Sequence, residues 1–240
     1  MGDGPEGSTV APVTAVFSEA MGDDEVAVVV PGTPILRGWL HLVCFFFALP
    51  AGVLLIMSAG SGRARVGAAV YAVGLAALFG VSGTYHRRLW SPTWRARLRR
   101  LDHSTIFVMI AGTYTPLCLL VLGGLAGTLM LVSVWAGAAL GVTLAAIGMT
   151  SRRYVGGACY LVLGWVAVAA SPALVQHLTA TQLALVVAGG IIYTVGVVVL
   201  GTKRPDPFPR VFGFHEVWHV MVVAAAACHF VAIRSLILAA

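Results

Sequence analysis

Seven stretches of this chain are each long and apolar enough to cross a lipid bilayer, which takes about 20 predominantly apolar residues per helix. They cover roughly residues 38–58, 66–89, 104–123, 126–148, 154–175, 180–201 and 214–237. Only Gly123, Gly124 and Gly127 mark the turn between the third and the fourth. None alternates with the period of two of a barrel strand, and each is about twice the ~10 residues of such a strand. Composition agrees: 10% of residues are charged and 59% are hydrophobic, with a mean hydropathy of +0.94. Soluble domains carry about 25% charged residues. The expected fold is an all-α integral membrane protein, a seven-transmembrane helix bundle in a multi-pass cell-membrane protein.

Residues 1–36 differ in kind. They hold six of the nine acids, no Lys or Arg, and close on Pro31-Gly32-Thr33-Pro34, a turn signal. A basic leading region is absent from them, and the apolar run at Val26–Val30 is too short for a signal peptide. They read as a disordered acidic cytoplasmic tail, ahead of a transmembrane domain over 37–240. Cys44, Cys118, Cys159 and Cys228 all fall inside expected spans and form neither a disulfide framework nor a C-x-x-C metal pair.

The net charge of +6 reports topology. Arg37, Arg87, Arg88, Arg95, Arg97, Arg99, Arg100, Arg152, Arg153, Lys203, Arg204 and Arg210 collect on one side of the seven spans, twelve basic residues against Arg63, Arg65 and Arg234 on the other. The positive-inside rule then puts the N-terminus in the cytoplasm and the C-terminus outside. Loop 87–100, with Trp90 and Trp94 among its arginines, is expected to lie on anionic headgroups. A short loop between two spans is a simpler home for these charges than a nucleic-acid site, so no nucleic acid is expected as a partner.

An ionisable group inside a bilayer costs about 2.5–3.5 kcal/mol on insertion scales, so each such group asks for a role. Two acids, Asp102 and Glu216, lie at or within the membrane segments. His86 ends the second span, Asp102-His103 opens the third, and His215 and His219 stand in the first two turns of the seventh. The charge count and the span count thus bring three helices' polar groups to one depth near the inner leaflet. His215 and His219 are four residues apart, about 6 Å along one helix face. Three neutral imidazoles and a water make an open tetrahedral zinc site, and Asp102 would orient that water or take its proton. Ser82, four residues before His86, faces the same way and is a candidate hydrogen-bond donor to the cluster.

Each member also has a plainer reading: His86 as an interfacial residue, Asp102 as a partner of a loop arginine, the His pair as a polar helix mouth. The string His215-Glu216-Val217-Trp218-His219 also spells the H-E-x-x-H of zinc proteases. Only twenty-one residues follow His219, however, with no acid and with one histidine, His229, about 15 Å further along the helix. A third ligand must come from upstream, and His86 is the natural supplier. Glu216 is then either a base or a headgroup-facing residue without a role. His103 points about 100° away from Asp102, and His41 has no polar companion, so both rank as spares. His229 is expected either to bond a backbone group or to line an outer cavity. Pro50, Pro116 and Pro172 are expected to kink or break the first, third and fifth spans, with Thr113 and Thr115 satisfying freed backbone groups beside Pro116.

Three segments carry a resemblance. They are Ser82-Gly83-Thr84-Tyr85-His86; Leu101-Asp102-His103-Ser104 with Ile110-Ala111-Gly112-Thr113-Tyr114-Thr115-Pro116; and His215-Glu216-Val217-Trp218-His219. Together, in this order, they resemble the signatures of hemolysin III-like proteins of the progestin and adiponectin receptor family, and more distantly those of alkaline ceramidases. The resemblance covers roughly residues 35–237. It implies a seven-helix bundle with a cytoplasmic N-terminus and Zn²⁺ held at the cytoplasmic side. By motif, the ligands are His86, His215 and His219, with Asp102 near the metal through water and Ser82 nearby. The activity it implies is zinc-dependent hydrolysis of a lipid amide or ester, with Asp102 and Ser82 as the catalytic candidates and a membrane lipid as substrate or ligand. The alternative is a pore-forming, haemolytic or membrane-homeostasis protein, or a receptor-like sensor, in which zinc is structural. A wide pore is disfavoured by spans rich in Gly, Ala and Val with few charges. Neither the substrate nor the oligomeric state is set by the sequence.

Overall fold

The computed structural model describes residues 33–152 and 154–240. The acidic tail expected over residues 1–36 lies, up to residue 32, outside the described residues. The chain forms α1 (Trp39–Met57), α2 (Gly62–Arg87), α3 (Pro92–Leu117), α4 (Gly124–Ala146), α5 (Val155–Gly164), α6 (Ser171–His177), α7 (Ala180–Thr202) and α8 (Phe214–Ala239). Six segments are long and apolar enough to cross a membrane: α1, α2, α3 with its π-helical continuation to Leu122, α4, α7 and α8. This is an all-α, multi-pass integral membrane protein.

The expected fifth span, 154–175, is not one helix. It runs as α5, a 3-10 segment Trp165–Ala170, and α6. Gly156, Gly157 and Gly164 lower the helix propensity of this stretch by roughly 1 kcal/mol each relative to Ala. Pro172 sits in the first turn of α6, where its missing N–H costs nothing, so it starts a helix rather than kinking one. Tyr114 of α3 bridges the break: its hydroxyl donates to the Gly164 carbonyl at 2.5 Å and accepts the Ala167 N–H at 2.7 Å. Backbone groups freed within a membrane need such partners.

A second difference concerns loop 87–100. α3 begins at Pro92, so that only a short turn separates it from α2. Ser91 accepts the Trp94 N–H at 3.4 Å, Pro92 takes the first helical position, and the Arg, Ala and Leu residues that follow favour helix. The loop arginines therefore stand on a helix, with Arg99 one turn before Asp102. Near the far end of α3, Pro116 removes one helical donor. Thr113 and Thr115 donate to the Met109 and Ala111 carbonyls at 2.9 and 2.8 Å on that turn.

α1 packs on α2, α2 on α3, α3 on α4 and α7 on α8, while α8 also meets α1, α2 and α3. Small residues make these contacts close, as they do in membrane bundles. Ala64, Ala68 and Ala225 are fully buried, whereas Phe47 and Val162 point outward with 71% and 74% of their surface exposed. At Gly83 the α1 and α2 backbones nearly touch, because a Cβ there would lie 2.9 Å from Leu42 Cα. That contact fixes α2 against α1 at the level of Ser82 and His86.

Candidate metal centre

The last two turns of α2 carry Ser82 and His86, and the chain ahead of α1 holds them in place. Gly38 has φ +78°, and a Cβ there would come within 2.6 Å of the His86 Cβ. Glycine answers both demands at this position. Next to His86, the Arg87 guanidinium lies 4.3 Å over the Trp39 ring and donates to the Ile35 carbonyl at 3.3 Å.

The first turn of α8 is pinned from three sides. Glu216 reaches back to accept the Gly213 N–H at 2.8 Å, and Asp206 accepts the Phe214 N–H at 2.8 Å. Arg37 donates its Nε to the other Glu216 oxygen. Among the described residues this is the only Arg–carboxylate ion pair. Glu216 is therefore a buried capping and ion-paired residue, neither headgroup-facing nor free to act as a base. A carboxylate at the third helical position, interacting with N–H groups left free at a helix start, is a favourable arrangement. Ile35 and Leu36 also donate to the Arg210 and Val211 carbonyls at 3.1 Å, tying the chain before α1 to the loop before α8.

Between these supports three imidazoles meet. His215 Nε2 lies 3.2 Å from His86 Nε2, and the ligand atoms of His86, His215 and His219 all fall within 4.8 Å of one another. Nitrogens held about 2.0–2.1 Å from a tetrahedral ion stand about 3.3–3.4 Å apart. One pair is already at that separation, and the widest possible gap, 4.8 Å, closes by about 1.5 Å of imidazole rotation. Three histidine nitrogens are a donor set that fits Zn²⁺ held by three protein ligands. Asp102 Oδ2 is 3.9 Å from His86 Nε2, beyond direct bonding and within reach of one bridging water. Ser82 and Asp102 line the same cavity as His215 and His219. The five residues singled out in the sequence are thus neighbours.

The spares divide. His103 is held by another partner on the same cavity wall, its Nδ1 2.9 Å from Thr150 Oγ1. His229 Nε2 meets the Val186 carbonyl at 3.2 Å, the backbone partner expected of it, and also lines the cavity described below, which is shared with His215 and His219. His41 was underrated: it lies against the site, stacked on His219 with ring centroids 3.9 Å apart and planes at 10°. It is 2% exposed, and neither ring nitrogen meets a hydrogen-bond partner of normal geometry. Sequence spacing could not place it, since its companion is 178 residues away in the chain. The Arg37–Glu216 pair was equally missed, although a Glu three residues after Gly213 carried a capping signal.

The profile of a family described as haemolysin-III related matches residues 31–230. Hemolysin-3 of Bacillus cereus is 32% identical over 195 residues, covering 79% of this chain and 85% of that protein. The Hemolysin-3 homolog of Bacillus subtilis (strain 168) is 32% identical over 193 residues, 79% of this chain and 87% of its own. Monocyte to macrophage differentiation factor of Homo sapiens is 34% identical over 179 residues, 70% of this chain and 69% of its own. The chain belongs to the haemolysin-III-related family of membrane proteins.

Proposed function

We propose that this chain is a zinc-dependent hydrolase of a lipid amide or ester, with its N-terminus in the cytoplasm, its C-terminus outside and its metal centre near the inner leaflet. One observation carries this reading. A single cavity of about 760 Å³ has Ser82, Asp102, His215 and His219 in its wall at one end and largely apolar side chains elsewhere. Small-molecule sites run from about 300 to 1,000 Å³. Along α3 the cavity reaches from Arg99 to Leu117, about 27 Å at 1.5 Å per residue, close to the ~30 Å hydrocarbon thickness of a bilayer. A ligand that fills it has a long apolar chain and presents its polar end to the histidines.

His86, His215 and His219 would hold the ion, and Zn²⁺ would supply Lewis acidity toward a carbonyl oxygen and toward water. The remaining work falls to side chains of this chain. Asp102 stands where it accepts the proton of an attacking water. Ser82, in the same cavity wall, would donate a hydrogen bond to that carboxylate, and the apolar wall would keep bulk water from the reacting groups. Glu216 takes no part, being engaged by Arg37 and by the Gly213 N–H.

The test is release of fatty acid from a panel of N-acyl and O-acyl lipids by purified, zinc-loaded protein. Asp102→Asn is expected to lower turnover by about 10²–10⁴-fold, and His219→Ala to abolish it together with the zinc. Fully zinc-loaded protein that is inert across the panel overturns the reading. The names of the Bacillus relatives favour a second one, in which the protein permeabilises membranes and zinc is structural. Dye leakage from liposomes that survives His215→Ala and His219→Ala is its signature.

A further inference from the structure

The cavity has one charged end. Arg99 of α3, Arg152 of the turn before α5 and Lys203 at the end of α7 all line it there, on the same side as Asp102. The opposite end, around Leu117 and His229, carries no cationic Lys or Arg among its described lining residues. Basic residues at this membrane face need no explanation as a group, but these three differ from Arg100, Arg204 and Arg210, which are likewise without an ion pair among the described residues, in lining the cavity. Arg37 pairs with Glu216, Arg87 covers Trp39, and Arg88, Arg95 and Arg97 lie over Trp90, Tyr85 and Trp94. Arg99, Arg152 and Lys203 have no ion-pair partner among the described residues, and all three side chains reach solvent. Three unneutralised cations from three separate elements therefore ring the mouth of an apolar, membrane-deep cavity, where Asp102 is the single acid.

We infer that this mouth is a headgroup site for a phosphate, and that the ligand of the cavity is an acyl lipid bearing a phosphate headgroup. The inference rests on the hydrolase reading only for the place of the scissile carbonyl. Arg99 precedes Asp102 by three residues, so its Cα lies about 4.5 Å before that of Asp102 along α3. A phosphate and an acyl carbonyl in one lipid headgroup are likewise separated by a few covalent bonds. Phosphate held by the cations puts the carbonyl beside Asp102 and the histidines, with the chain running toward Leu117. Arginine suits such a partner, since its planar fork bonds two phosphate oxygens at once.

The experiment measures binding alone, so that failure of turnover and failure of this inference remain separable. The full chain in phosphatidylcholine nanodiscs is titrated with an ether-linked alkylglycerol phosphate, which cannot be hydrolysed as an ester, and with the uncharged alkylglycerol of the same chain. The shift and intensity change of intrinsic tryptophan emission report occupancy, because Trp165 and Trp218 line the cavity. The phosphate lipid is expected to bind about ten- to a hundredfold more tightly. R99Q/R152Q/K203Q brings the two lipids to parity, while R97Q/R100Q/R204Q, an equal charge change away from the cavity wall, keeps the preference. If the first triple also loses the uncharged lipid, the single variants R99Q and K203Q carry the test, each lowering the preference several-fold. Equal affinities in the unaltered protein overturn the inference. So does an equal loss in both triple variants, which marks general surface attraction. Displacement of the lipid by inorganic phosphate at comparable affinity also overturns it, because that describes a site for free anions.

Discussion

Gly38 is the residue on which the placement of His86 most depends. Its φ of +78° disfavours any residue with a Cβ, and that Cβ would stand 2.6 Å from the Cβ of His86. Gly38→Ala is therefore expected to lower stability by about 1–2 kcal/mol from the backbone alone, and to displace His86. Thermal unfolding and zinc stoichiometry check both parts; an unchanged melting temperature with full zinc would show that the contact is not needed. His41 makes the opposite prediction. Two buried ring nitrogens without partners cost about 1–3 kcal/mol of desolvation, so His41→Phe, which keeps the stack on His219, is expected to raise Tm. A Tm that falls instead would mean that the nitrogens have a partner in the membrane-embedded protein. His86, Asp102, His215, His219 and Ser82 were legible in the sequence because polar side chains stand out against apolar helices and two of them share one helical face. The stack of His41 was not, because it is purely tertiary.

At the scale of elements, the first turn of α8 owes its position to Arg37 and Glu216. Removing one member of a largely buried ion pair leaves the other charge uncompensated, a loss of about 3–5 kcal/mol for a fully buried pair and less here, where Arg37 keeps 19% exposure. Arg37→Gln is expected to lower Tm and to weaken zinc binding. Arg37→Gln combined with Glu216→Gln should then cost less than the sum of the single changes. Strict additivity in that double-mutant cycle would separate the two residues. The helices themselves follow from apolar runs, which is why six were legible. Hydropathy does not register where a helix breaks, so the division of 155–177 and the start of α3 at Pro92 emerge only from local chemistry. Tyr114 holds the break between α5 and α6 from another helix, and Ser91 with Pro92 starts a helix inside a basic run.

Across the whole molecule, helix order and charge alone suggest one depth for the polar groups of α2, α3 and α8, and the structure brings the imidazole nitrogens of α2 and α8 within 4.8 Å of one another, with Asp102 of α3 beside them. The cavity adds what the sequence could not contain, since its wall draws on seven of the eight helices, all but α4, and on the segments between them. It also gives the basic residues different tasks, some anchoring the helices and three facing an apolar chamber. The central claim is that His86, His215 and His219 form one metal centre, and the most direct test is zinc per chain in purified protein. One equivalent is predicted for the unaltered chain and for His103→Ala and His229→Ala, with almost none for His86→Ala, His215→Ala or His219→Ala. Zinc retained in full by any of those last three variants, or lost with His229→Ala, would contradict the account.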